Sequence, residues 1–372
     1  MAGRNLVLLF DGTWSKPESH TNVERLANLL VADGNGTPQI IHYVAGVGIG
    51  TGLGHWFGGA FGWGLSGNVM EGFRWLANSW QPDDAVFLFG FSRGAYTARS
   101  LGGMIRKCGL LRRDGHNAVA ASDVSAAYDF YRRDDVRPDD AEAVAWRAQH
   151  SVEIGIRCIG VWETVGSLGI PDVASWFPYA RSRYRFHDTE LSRIVKYAYQ
   201  AIALDEQRAD FAPTMWTRNP ATLAPGENAT APKAGQIEME QRWFIGSHGD
   251  VGGGNEVDGA GRTPDPLPDI ALAWLQRKAI AAGLHFGALC VPAADAGRGT
   301  PRDSYREFLR GLYRVFKPRT PRVLGGGVNE TVDDSVWQRW RDDPAYRPAS
   351  LVDAVRRRTV AVPADIAQGE GS

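Results

Sequence analysis

Short apolar runs alternate through most of the chain with longer stretches whose apolar positions recur every three or four residues. The short runs are Leu6–Phe10, Gln39–Val44, Ala85–Phe89, Arg157–Trp162 and Gln241–Ile245, each predicted to be a buried β-strand. Helical spacing predicts helices over Asn22–Ala32, with Thr21 as its cap, and over Asn68–Trp80. Another runs from Arg93 to about Lys107 and ends at Gly109, and Ser122–Arg133 and Ala141–Gln149 give two more on a charged surface. Leu191–Leu204 is also predicted helical, and Ile270–Ala282 is a helix closed by Gly283. Strand and helix in alternation predict an α/β fold: a mostly parallel central sheet flanked by helices. Residues 1–290 are expected to form this domain, and residues 291–372, rich in Arg and Pro, a C-terminal extension wrapping or extending it. The Ala-, Pro- and Gly-rich stretch Asn219–Gly235 is predicted to be an exposed loop, and no internal repeat is present.

Composition narrows the class. The 372 residues are 44% hydrophobic, enough for a large core, and the formal net charge of -1 gives no reason to expect nucleic acid as a partner. Cys108, Cys158 and Cys290 are too few and too scattered for a disulfide framework or a zinc cluster, and no metal or cofactor is expected. The apolar run at the N-terminus stops at Asp11, too short for a signal-peptide core, so the chain is expected to be cytoplasmic as synthesised. Between Asp33 and Glu71 there is no Asp, Glu, Lys or Arg, yet glycine dominates where a membrane span would need Leu, Ile and Val. This stretch is predicted to be a tight loop beside the sheet; the alternative is an apolar, aromatic-tipped segment in peripheral contact with lipid.

The chemistry centres on Gly90-Phe91-Ser92-Arg93-Gly94, where a predicted strand turns directly into a predicted helix. A turn that tight leaves no room for bulk at either glycine and lifts the serine hydroxyl above the sheet, at the N-terminus of the next helix. Ser92 is therefore the candidate nucleophile. It needs a general base, and His248 is the histidine placed at the end of a predicted strand, opening the turn SHGDVGGG. Acids at three places compete to orient that imidazole: Glu163 after the strand RCIGVW, Asp250 on the same turn as His248, and the pair Asp205 and Glu206. Glu163 gives the chain order Ser, Glu, His of an α/β-hydrolase. The expected oxyanion donors are the amide of Arg93 and that of Gly12 or Thr13, with Asp11 bracing the loop. "DGT" also occurs in haloacid-dehalogenase phosphatases, but Leu9 stands where that chemistry needs an aspartate.

The motifs FDGTW, TNV, YVAGVGIGTG, GFSRGAYTAR, GVWETVGSLG, ALDEQRADFAP, HGDVGGG and DIALAWL occur in this order. Together they resemble the α/β-hydrolase family that includes the phospholipase effectors of bacterial type VI secretion systems, over about Leu6 to Leu284 with a fainter echo in DDSVWQRWRDDPAYRPASL. The resemblance implies a hydrolase of lipid ester bonds with a Ser–Asp–His triad, whose nucleophile falls on Ser92 and whose histidine falls on His248. The family's GVWDTV aspartate falls on Glu163, and a histidine carried by many members in the tail corresponds to the stretch now holding Asp333 and Asp334. It also implies export without a signal peptide and an immunity or secretion-system partner. The expected function is thus a serine esterase acting on phospholipids or related acyl lipids. Two alternatives stand beside it: a catalytically weak module that binds lipid or a partner, and an esterase for a small soluble ester.

Overall fold

The computed structural model describes residues 3–12, 20–46, 60–115, 117–165, 190–218, 233, 235–254 and 265–369. At its centre is an eight-stranded sheet. In chain order the strands are β1 (Asn5–Phe10), β2 (Asp33–Gly34), β3 (Thr37–Val44), β4 (Ala85–Phe91), β5 (Ile156–Trp162), β6 (Val195–Ala203), β7 (Glu238–Phe244) and β8 (Glu330–Val332). They lie in the order β8-β7-β6-β5-β4-β1-β3-β2. Every pairing from β3 to β8 is parallel, and the short β2 adds an antiparallel edge. The carboxyl ends of β1, β4, β5, β6 and β7 therefore open on one side of the molecule, where a parallel sheet gathers functional loops.

Alternation along the strands sends side chains into two cores. Leu6, Leu8 and Phe10 of β1, with Val86 and Leu88 of β4, pack under helices α2 (Ala60–Ser79), α3 (Arg93–Cys108) and α4 (Ala121–Tyr131). Val7 and Leu9, with Phe87, Phe89 and Phe91, face α1 (Asn22–Leu29) on the other side. Thr21 caps α1 as expected, accepting the Glu24 amide at 3.2 Å. Helix α3 ends at Gly109, whose φ of 70° is the left-handed conformation that glycine adopts without a Cβ penalty. A further helix, α5 (Ala141–His150), follows α4.

Two elements differ from the sequence reading. Residues 195–203, expected within a helix, form β6 at the middle of the sheet. Val195, Ala198, Tyr199, Ile202 and Ala203 have the spacing of an amphipathic helix, but a strand covered on both faces has no need of alternation and its pattern cannot be told from a buried helix. Helix α2 begins at Ala60, eight residues before the predicted start, and takes in the end of the glycine-rich stretch. The rest of the proposed loop, residues 47–59, lies outside the described residues, as does most of the predicted loop at 219–235.

Beyond β7 come α6 (His248–Gly252) and α7 (Leu267–Ala281), the latter packing on the same face as α1. Among the tail elements, β8 extends the sheet beside β7. Val336, Trp337 and Trp340 of α8 (Asp334–Asp342) and Leu351 and Val355 of α9 (Ala349–Arg357) bury Ile202 and Trp243 of the sheet. Asp333 caps α8, accepting the amide of Ser335 at 3.0 Å and its hydroxyl at 2.6 Å, and it pairs with Arg242 at 3.3 Å.

The β4–α3 turn is set by contact. A Cβ on Gly94 would lie 1.9 Å from the carbonyl oxygen of Phe10, and one on Gly90 would lie 2.3 Å from the carbonyl oxygen of Gly94. Backbone occupies both places, so nothing flexible can yield. Gly94→Val is expected to lower stability by about 3 kcal/mol or more, the range of overpacked cores; thermal and denaturant unfolding check it, and a variant as stable as the parent would contradict the close approach.

Candidate active site

Each candidate side chain stands at the carboxyl end of its own strand. Ser92 follows β4, Glu163 follows β5 and His248 follows β7. The sheet holds these turns in register, the Ser92 amide donating to the Trp162 carbonyl at 3.0 Å and that of Glu163 to Ala201 at 2.9 Å. Ser92 and Glu163 both have positive φ, 57° and 47°, a conformation a side chain with a Cβ adopts only at some cost. Both strained residues flank the same imidazole. The Nε2 of His248 lies 3.0 Å from Ser92 Oγ, and its Nδ1 lies 3.1 Å from Glu163 Oε2. Residues 156 and 85 positions apart are thus joined in one hydrogen-bonded line.

Glu163 is wholly buried, and its carboxylate is met on every side. Arg322, from the C-terminal tail, grips it with both arms of its guanidinium, each at 2.8 Å, and also donates to the carbonyl of Phe211 at 2.8 Å. The Ala203 amide donates to Oε1 at 2.6 Å. Burial pushes this carboxyl upward, but Arg322 and His248 outweigh it and hold it below the ordinary glutamate value. For His248 the balance goes the other way: desolvation lowers its pKa below the ordinary imidazole value against the pull of Glu163. Its ring is enclosed by Phe91, 4.7 Å away between centroids, and by Phe211 at 5.2 Å. A neutral imidazole can take a proton on Nε2 while its Nδ1–H is directed at Glu163.

The rival acids hold the loop that carries the histidine. Asp250 accepts the Ser247 amide at 2.8 Å, the Ser247 hydroxyl at 3.0 Å and the Arg302 amide at 2.9 Å, which fixes the start of α6. Its carboxylate serves the backbone, and the Nδ1 of His248 faces Glu163. Glu206 accepts the amide of His248 at 3.2 Å and the Ser304 hydroxyl at 2.9 Å. Burial pushes Glu206 upward, yet its paired Arg208 brings it down to about 2. Asp205 accepts the Gly246 amide at 2.7 Å and the Tyr346 hydroxyl at 3.0 Å, and burial raises it to about 6.

On the opposite rim, Asp11 braces the first loop. Its Oδ2 accepts hydroxyls from Thr21 at 2.7 Å and Tyr43 at 2.5 Å, and its Oδ1 accepts the Gly12 amide at 2.6 Å. The Gly12 amide, expected to face an oxyanion, is here directed at Asp11. Asn22 then ties this loop to the histidine turn by donating to the Val251 carbonyl at 2.9 Å. Arg93 opens α3, which places its amide at the positive end of the helix beside Ser92. Thr13 lies outside the described residues. Among those residues no cluster of His, Cys, Asp or Glu could hold a metal ion, and Cys108, Cys158 and Cys290 carry free thiols.

Arg322, Phe211 and Arg208 were not foreseen. Arg322 stands in KPRTPRV among other arginines and prolines, and nothing local distinguishes it. Phe211 and Arg208 fall within ALDEQRADFAP, where only the acids Asp205 and Glu206 bear an expected chemical role.

A parallel sheet with a serine at the strand–helix turn after β4, an acid after β5 and a histidine after β7 defines an α/β-hydrolase-like fold. The chain belongs to the family described as "T6SS, Phospholipase effector Tle1-like, catalytic domain", which matches residues 4–278. It is 29% identical over 244 residues to the uncharacterised protein YEL023C of Saccharomyces cerevisiae, a match covering 59% of this chain and 33% of that protein. Among solved structures, the Tle1 effector bound to the VgrG spike of the type 6 secretion system aligns at 18% identity and a TM-score of 0.38, over 68% of this chain and 51% of the effector. An uncharacterised protein from Pseudomonas aeruginosa aligns at 18% identity and a TM-score of 0.45, over 86% and 51%. The chain thus spans a third of the yeast relative and about half of each of these structures.

The grip of Arg322 on Glu163 has a measurable consequence. His248 is expected to titrate below its ordinary value of 6.5 in an NMR titration of its ring protons. Arg322→Met removes the cation that offsets Glu163, so the Glu163–His248 pair retains a proton to higher pH, whichever partner carries it. The titration should move up by about 1 pH unit or more. Arg322→Lys, which keeps the charge but loses the fork, should fall between. An unchanged titration in Arg322→Met would show that the guanidinium does not set the charge balance of the pair.

Proposed function

We propose that this chain is a serine hydrolase that cleaves carboxylic ester bonds of phospholipids or related acyl lipids. The observation that carries the reading is the line from Ser92 Oγ through His248 to Glu163, at 3.0 and 3.1 Å, in a chain of the Tle1-like phospholipase effector family. In this mechanism Ser92 Oγ attacks the acyl carbonyl while its proton passes to His248 Nε2. Glu163 holds the imidazole through Nδ1 and stabilises the imidazolium. Negative charge on the carbonyl oxygen develops at the N-terminus of α3, beside the amide of Arg93. Collapse of the tetrahedral species breaks the ester bond, and the departing alcohol takes the proton from Nε2. Water then repeats the sequence on the acyl-enzyme, releasing the fatty acid and restoring Ser92.

The extra methylene of Glu163, compared with the aspartate implied by the family resemblance, is accommodated by its left-handed backbone and by the fork of Arg322, which together fix where the carboxylate can lie. A second reading, a weakly active module that binds lipid or a partner, draws support from the Gly12 amide, which points at Asp11 and leaves the oxyanion one expected donor fewer. The Tle1 effector in the solved complex is bound to a VgrG spike, and a secretion-system partner for this chain is part of the proposal. The described residues contain no helix long and apolar enough to cross a membrane.

Ser92→Ala is expected to lower kcat/KM on a short-chain chromogenic ester by about a thousandfold or more without changing thermal unfolding. A fluorophosphonate probe should label the parent and not the variant. Turnover near the parent's rate in Ser92→Ala would overturn the nucleophile, and a parent that resists the probe would favour the weak-module reading.

A further inference from the structure

The segment from Arg302 to Val323 borders the site and carries a surface the mechanism does not use. It is moored to the active-site loop from inside. The Tyr313 hydroxyl donates to Asp210 Oδ2 at 2.9 Å, the Thr320 amide donates to the Gln207 carbonyl at 2.9 Å, and Arg322 reaches Glu163. Aromatic rings continue the link: Tyr313 packs on Phe308 at 5.5 Å, Phe308 on Phe211 at 5.5 Å, and Phe211 on His248.

With Tyr313 buried, the opposite side of the single helical turn Tyr313–Phe316 points to solvent. Leu312, Val315 and Phe316, at positions i, i+3 and i+4, share that side, and Val315 and Phe316 are 69% and 71% exposed. Val323 is exposed further along the segment. Four of the ten large apolar side chains exposed among the described residues thus fall within twelve positions. The charge around them is one-sided. Apart from Arg322, which is held by Glu163, residues 302–321 contain six Arg or Lys, one of them Lys317 paired with Asp210 at 3.8 Å, against Asp303 and Glu307, in a chain whose formal net charge is -1. Arg302, Arg306, Arg314 and Arg319 are exposed, and Arg319 and Arg306 share the one carboxylate of Asp303.

We propose that the face formed by Leu312, Val315 and Phe316, flanked along the segment by these arginines, docks the protein on an anionic lipid bilayer. A stable protein partner would need about 800 Å² on each side, well beyond three side chains around one helical turn. A small apolar wedge flanked by cations is instead what an interfacial anchor requires: the apolar residues enter the headgroup boundary and the arginines meet the phosphates. The ring contacts from His248 through Phe211 and Phe308 end on Tyr313, the buried residue of the same turn, so docking there brings the active-site segment to the membrane. This role rests on the esterase reading for its purpose, though not for its measurement.

The test uses the full chain carrying Ser92→Ala, so that binding is measured without turnover. It is mixed with vesicles of phosphatidylcholine alone and with an equimolar mixture of phosphatidylcholine and phosphatidylglycerol, then sedimented. Binding should favour the anionic vesicles and weaken as salt is raised. Adding Val315→Asp and Phe316→Asp should reduce vesicle affinity about tenfold or more. The same two substitutions with Ser92 intact should leave hydrolysis of a short soluble ester unchanged, which separates docking from misfolding. Equal binding to both vesicle types, undiminished binding of the double variant, or loss of soluble-ester hydrolysis in it would each overturn the proposal. Anionic-vesicle binding in a protein that fails the fluorophosphonate test would leave the docking face standing and the esterase reading fallen.

Discussion

The site depends on a single buried carboxylate. Glu163 has no contact with water, and a lone charge so placed would take up a proton to escape the low dielectric. It stays ionised because Arg322 supplies a matched positive charge and two parallel hydrogen bonds, and because the Ala203 amide fills the remaining direction. The charge that orients His248 is therefore made by the tail as much as by the sheet. The guanidinium and the imidazole share Oε2 of Glu163, and burial leaves the pKa of His248 below the ordinary value despite the pull of that carboxylate.

Around that centre, residues that look like separate motifs brace one another. Asp11 follows β1 and collects Thr21 and Tyr43; Asn22, the residue after Thr21, holds the carbonyl of Val251 in the histidine turn. Glu206 supports the amide of His248, while Asp250 gathers the amides of Ser247 and Arg302. Asp11, Thr21, Asn22, Glu206, Ser247, His248 and Asp250 are buried and hydrogen-bonded, and such networks lose more than one bond when a member is removed. The parallel sheet makes this economy feasible, since five strand ends deliver their loops to one side.

The same geometry joins chemistry and surface. Segment 302–323 supplies the arginine that compensates Glu163, the aromatic ring that continues the wall of the imidazole pocket, and an apolar turn facing outward. One stretch of irregular chain thus belongs at once to the charge balance of the site and to an exposed apolar surface.

By itself the sequence determined the elements whose signals are local. The strand–Gly-x-Ser-x-Gly–helix turn, the caps at Thr21 and Gly109, the strands β1, β4, β5 and β7 and the alternating α/β order are all written in short-range periodicity and in the steric needs of particular residues. That Ser92 and His248 would meet at one end of the sheet was also legible, because a parallel sheet sends every strand's carboxyl end to the same side, while Glu163, Asp250 and the pair Asp205 and Glu206 remained competing acids. What only the tertiary structure decided is where burial overrides pattern and where partners come from afar. Val195–Ala203 is a strand because both its faces are covered, a fact of its neighbours and not of its spacing. Asp250 is given to the backbone and Glu163 to the imidazole by directions that chain order does not encode. Arg322 reaches a carboxylate 159 residues away, and an arginine in a proline-rich stretch carries no local mark of the charge it will neutralise.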